Sequence, residues 1–156
     1  MNYPKPNNQQ KCRAGEACVV AELNKRGAYA TSFAGNMPNI DILAMDQNQT
    51  RSVYIQVKTK INPQGWQVGL GAEKEIGNNN FFVILVDLKK IDRPDFYIFD
   101  RSTYVNKVKK IYKDYINRPK RNGQPKKETN IRWIDYKNFT DEDKKRLNNW
   151  KILGFW

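Results

Sequence analysis

Three polar side chains stand in two otherwise apolar runs: Asp41 in Asn39-Ile40-Asp41-Ile42-Leu43, and Gln56 and Lys58 in Tyr54-Ile55-Gln56-Val57-Lys58-Thr59. Strands bound for a core do not need an acid, an amide and an ammonium. In extended chain, residues two apart project from the same face at about 3.3 Å rise per residue, so Gln56 and Lys58 stand side by side while Ile55 and Val57 face the other way. A carboxylate, a carbonyl oxygen and an ammonium gathered at one spot suit a hard divalent cation and a phosphate.

The rest of the composition narrows the chemistry. Histidine is absent from the 156 residues, which removes Ser-His-Asp and Cys-His nucleophiles, histidine-bound zinc and an imidazole base. Catalysis would have to run on carboxylates, lysine and metal. The 28 Lys and Arg against 16 Asp and Glu leave a net charge of +12, which favours a polyanionic partner, nucleic acid first. Cys12 and Cys18 fall on different sides of one expected helix and make neither a zinc site nor a disulfide framework, so a reducing compartment is inferred. No apolar stretch approaches the roughly 20 residues that span a bilayer, and residues 1–10 lack the apolar run of a signal peptide. With 39% hydrophobic residues, the expectation is one soluble, cytoplasmic domain over residues 1–156.

The Pro-, Asn- and Gln-rich start reads as a flexible arm over residues 1–11. A helix is expected over residues 13–26, ending at Gly27, which accepts a left-handed conformation. Glu16 lies three, four and seven residues before Val19, Val20 and Leu23 and so shares their apolar stripe. An acid in a first turn would equally complement the helix dipole. Strands are expected over residues 28–33, 40–45 and 52–60, with turns at 35–38 and 46–50. A short glycine-bounded segment holds Trp66, and residues 73–77 suit one helical turn. Residues 81–86 form a continuous apolar run typical of a strand covered on both faces, and 96–99 form another strand. Asp100 and Ser102 are candidate caps of a helix with Tyr104, Val108, Ile111, Tyr112 and Tyr115 at helical spacing. Its other face carries Lys107, Lys109, Lys110 and Lys113. The next loop adds Arg118, Lys120, Arg121, Lys126 and Lys127. That run, opposed only by Asp114 within the helix, reads as a surface for a phosphate backbone, the alternative being a solvated helix and loop. A last strand is expected at 131–134, then a helix start at Thr140, with Leu147, Trp150 and Leu153 as its packing face.

A helix with Glu16, a strand with Asp41, a strand with Gln56-Val57-Lys58 and then a further apolar strand: this order resembles the restriction-endonuclease-like, PD-(D/E)xK nuclease superfamily. Pro38, Asn39, Ile40 and Asp41 match the loose proline-to-aspartate element, and Gln56-Val57-Lys58 matches the (D/E)xK element, with glutamine where an acid is usual. The match covers about residues 12–86 of the chain. The resemblance implies an α/β fold with a central mixed β-sheet flanked by helices, followed by a basic, helical C-terminal part. It implies a DNA endonuclease using Mg2+, or Mn2+ in its place. Asp41 would ligate the metal, Gln56 would supply a second side-chain oxygen and the Val57 backbone carbonyl a third. Lys58 would contact the scissile phosphate or the attacking water, and Glu16 would complete the acidic cluster. Glutamine costs the site one negative charge and weakens its hold on a cation. A homodimer would suit the cutting of two strands.

Two other readings stand beside the endonuclease. One is a nucleic-acid-binding protein of the same fold with a silent site, using the basic helix and Trp133, Tyr136 and Trp150. The other is an interaction module whose charge serves only solubility.

Overall fold

The computed structural model describes residues 4–33, 37–77 and 79–156; Gly35 and Asn36 of the expected turn and the first three residues of the expected arm lie outside them. Helix α1 spans Asn8–Lys25, five residues earlier at its start than the sequence pattern predicts. The reason is a capping box: Asn7 Oδ1 accepts from Gln10 N–H at 2.8 Å and Gln10 Oε1 accepts from Asn7 N–H at 2.9 Å, so residues that read as a loose polar arm satisfy the first helical amides. Residues 8–11 of that arm are therefore helical. Glu16 lies mid-helix, where a dipole explanation for it no longer applies. The helix ends at Arg26, and Gly27 takes φ 83°.

Strands β1 (Tyr29–Ser32), β2 (Ile42–Met45), β3 (Ser52–Lys60), β5 (Phe81–Asp87) and β6 (Asp95–Asp100) form one sheet in the order β1-β2-β3-β5-β6. The β3–β5 pair is parallel and the others antiparallel, so the sheet is mixed. The crossover from β3 to β5 contains β4 (Trp66–Gly69) and a 3-10 turn at Leu70–Glu73, a little before the turn expected at 73–77. Strand β4 pairs with β7 (Ile131–Ile134) as a separate two-stranded ribbon. Every residue of β5 is buried, as a continuous apolar run requires when both faces are covered. Phe82, Ile84 and Val86 face α1 with Val19, Leu23, Ile42, Ile55 and Val57. Val83 and Leu85 face helix α2 (Arg101–Ile116) with Tyr104, Val105 and Val108. Asp100 caps α2 by accepting from Thr103 N–H at 2.8 Å. The short helix α3 (Asp141–Lys144) starts at Thr140 with a capping box to Asp143. Beyond it, Trp150 and Leu153 are buried while Leu147 is 40% exposed. The architecture is α/β, a central mixed sheet flanked by helices. Among the described residues no helix is long and apolar enough to cross a membrane.

Candidate active site

Helix α1 seats flush on β3 because of Gly15. A Cβ there would fall 1.9 Å from Thr59 Oγ1, so any larger residue would push the helix outward and carry Glu16 with it. Asp41 is set by backbone. Asn39, two residues earlier, takes φ 64°, a region asparagine tolerates better than most residues. The Asp41 N–H donates to Ile55 O at 2.9 Å and its carbonyl accepts from Phe33 N–H at 3.0 Å. Ile42 is the ladder partner of the same Ile55, so Asp41 and Ile42 together oppose one residue, the two-against-one pattern of a β-bulge, which re-aims a side chain. Asp41 Oδ2 then accepts from Val57 N–H at 2.6 Å. Strand alternation turns the Val57 carbonyl to the same edge of β3 as its N–H.

Charge links these groups. The Glu16 carboxyl is pushed above its ordinary range, by burial first and the Asp41 charge second, with Arg13 opposing. Lys58 is pulled down, chiefly by burial; Asp41 and Cys12 act to raise it and Arg101 to lower it. Asp41 is therefore near enough to act on both Glu16 and Lys58. A groove of about 610 Å³ opens beside Glu16 and Asp41, bounded by Gln9, Cys12 and Arg13 of α1 and by Phe33, Met37, Pro38 and Ile40; neither Gln56 nor Lys58 lines it.

Gln56 has a partner that sequence reasoning missed. Its side chain is buried, and its Oε1 accepts from Arg101 Nη1 at 3.1 Å. Arg101 is 3% exposed. Three further donors go to Lys74 O, from Nε at 3.2 Å and from Nη2 at 2.8 Å, and to Gly71 O, from Nη2 at 3.1 Å. The signal was present in the sequence: a cation at the first position of a helix opposes the dipole and needs another reason to be there.

The oxygen donors suit a hard cation in part. Mg2+ is commonly held by one or two carboxylates, with waters and substrate phosphate completing its shell, and Glu16 and Asp41 supply two that repel each other. Among the described residues no group of three or more acidic, cysteine or histidine side chains is gathered for a metal. Gln56 Oε1 is engaged by a guanidinium.

The expected basic surface divides. Lys109, Lys110, Lys113, Arg118, Lys120, Arg121 and Lys127 are exposed. Lys126 is half-buried, donating to Tyr115 O at 2.7 Å with its ammonium 4.0 Å from the Tyr115 ring centre. Lys107 departs from the exposed face read for it: it makes a buried ion pair with Asp143 at 2.5 Å and donates to Asn138 O. Of the three aromatics suggested for nucleic acid, Trp150 is buried, Tyr136 donates to Asp87 Oδ2 at 2.6 Å from within a ring cluster, and Trp133 is 42% exposed.

The sequence matches no protein-family model and no curated protein. The structure is similar to that of a bacterial homing endonuclease, at 14% identity over 65% of this chain and 70% of that one, with a TM-score of 0.46. It is also similar to Hjc, a Holliday junction resolvase from the archaeal hyperthermophile Archaeoglobus fulgidus, at 17% identity over 79% of this chain and 89% of that one, with a TM-score of 0.44. At such identities the reading of function rests on the site's own residues.

Proposed function

We propose that this protein is a divalent-metal-dependent DNA endonuclease whose site is Glu16, Asp41, Gln56 and Lys58. The observation that carries the reading is the placing of Asp41, re-aimed by a bulge and fastened to the Val57 N–H between Gln56 and Lys58, on a groove that it shares with Glu16. Bound Mg2+ or Mn2+ would polarise a phosphoryl oxygen and lower the pKa of water. Asp41 and Glu16 are the residues to hold it, with the Val57 carbonyl on the same edge. Lys58 meets the scissile phosphate and offsets charge as it develops. Arg101 fixes the Gln56 amide and adds positive potential beside Lys58.

The test is incubation of the purified protein with supercoiled, linear and branched DNA in Mg2+, Mn2+ or EDTA. Metal-dependent cleavage is expected, reduced by at least about 100-fold in Asp41→Ala and in Lys58→Ala. Cleavage that survives EDTA, or either substitution, would overturn the assignment. The engagement of Gln56 Oε1 by Arg101 favours one second reading, a DNA-binding protein with a silent site; it predicts binding without cleavage under every metal.

A further inference from the structure

The β4–β7 ribbon has one buried and one open face. Its register pairs Gln67 with Trp133 and Gly69 with Ile131, and these four residues are the exposed ones of the two strands. Trp133 and Ile131, 42% and 46% exposed, therefore lie two apart on the same open surface. Gly69 leaves the space above it clear, since a Cβ there would meet nothing within 4 Å. A groove of about 770 Å³ runs between this ribbon and the C-terminal half of α2, lined by Trp133 together with Tyr115, Arg118, Lys126 and Lys137. Arg132, which points inward, is paired with Glu73 and lies over Tyr112.

The charge around the groove selects its occupant. Arg118, Lys126 and Lys137 outnumber the lining acids Asp114 and Asp135, and the loop over residues 117–130 adds Lys120, Arg121 and Lys127 against Glu128. A second copy of the chain would bring like charges face to face. A polyanion would neutralise them. In a duplex the base faces are already stacked, so a duplex would meet only the cations; an exposed indole flanked by cations is matched by a strand whose bases are unpaired.

We infer that the groove between α2 and β7 binds an unpaired DNA strand, with a base stacked on Trp133 and phosphates on Arg118, Lys126 and Lys137. This rests on the DNA-directed reading above and extends it to substrate class: the preferred DNA carries a single-stranded stretch next to duplex.

Fluorescence anisotropy in EDTA, with a labelled blunt duplex, the same duplex carrying an oligo-dT tail, and oligo-dT alone, tests this without any need for cleavage. The tail is expected to tighten binding about tenfold, the size of one base–aromatic stack. Trp133→Ala should remove that gain and leave blunt-duplex affinity within about twofold, while Trp133→Phe should keep most of it. Thermal melting of each variant shows that the exposed substitution leaves the fold intact. Equal affinity for blunt and tailed duplex, or equal losses on both in Trp133→Ala, would overturn this inference and leave the endonuclease reading standing. Failure to bind any of the three DNAs would overturn both.

Discussion

Gln56 shows how a single side chain changes meaning once its neighbour is known. A glutamine in place of an acid reads as a lost metal ligand; beside Arg101 it is also a neutral group that a buried guanidinium can hold without a buried charge pair having to form. Gln56→Glu would place a carboxylate between Arg101 and the cation site. Mn2+ binding by calorimetry is expected to be as tight as in the parent or tighter, with the gain kept under about tenfold because Arg101 takes up part of the new charge. Weaker binding would show that Gln56 is not a ligand. Arg101→Met should cost much more in stability, since Gly71 O, Lys74 O and Gln56 Oε1 would lose their donor. The expected loss in urea unfolding is about 1–3 kcal/mol for each acceptor that water does not reach.

Elements place these side chains, and two contacts show how the elements are held. The first is Gly15 against Thr59. Gly15→Ala is expected to lower unfolding stability by about 1–3 kcal/mol through overpacking, and Thr59→Ala should recover part of it by removing Oγ1, the nearest atom. The second is the buried pair of Lys60 and Asp87, at 2.7 Å, with the Tyr136 hydroxyl on the same carboxylate and the Trp66 and Tyr136 rings around the ammonium. It joins the far end of β3 to β5 and to the 3-10 turn Tyr136–Asn138 after β7. Burial alone would raise the Asp87 carboxyl, but Lys60, Tyr136 and the Lys89 N–H outweigh it and hold it below its ordinary value. A carboxyl lowered in the fold stabilises fully above its unfolded pKa, and that contribution is lost as pH falls through the folded one. Stability should thus hold from pH 7 to 5 and drop below about pH 4. Asp87→Asn should be less stable at pH 7 by about 3–5 kcal/mol, because Lys60 is left unpaired, and should show a shallower acid dependence in melts across pH 3–7. Elements of this kind were legible where period and caps agreed: β3 matches its expected span, and β5 is buried throughout, as its unbroken apolar run requires. The start of α1 was not, because Asn7 and Gln10 are polar residues whose helical role is visible only as a reciprocal pair. The bulge at Asp41 was not either, since strict alternation along a strand gives no hint of two residues facing one. Lys107 reads as a surface cation because its acid, Asp143, lies 36 residues away in sequence, and nothing local to Lys60 points to Asp87.

At the scale of the whole molecule, the excess of +12 is unevenly spent. Lys60, Arg101, Lys107 and Arg132 hold the structure together from inside or against its own acids, so the run of cations proposed to meet DNA is the outward one of α2 and the following loop. Lys109, Lys110, Lys113, Arg118, Lys120 and Arg121 are all exposed. Each phosphate they neutralise releases counterions and adds about -0.9 to the slope of log K against log salt on duplex DNA, so four contacts give a slope near about -3.6. Replacing Lys120 and Arg121 with alanine should flatten it by up to about two units and weaken binding to all sequences alike, because phosphate contacts position a protein without reading bases. Anisotropy on blunt duplex across a salt series measures this. The same double substitution should leave stability unchanged, since neither side chain has a role in the core. An unchanged slope would mean that the loop over residues 117–130 is merely solvated, and the path of duplex would then have to be sought elsewhere on the surface.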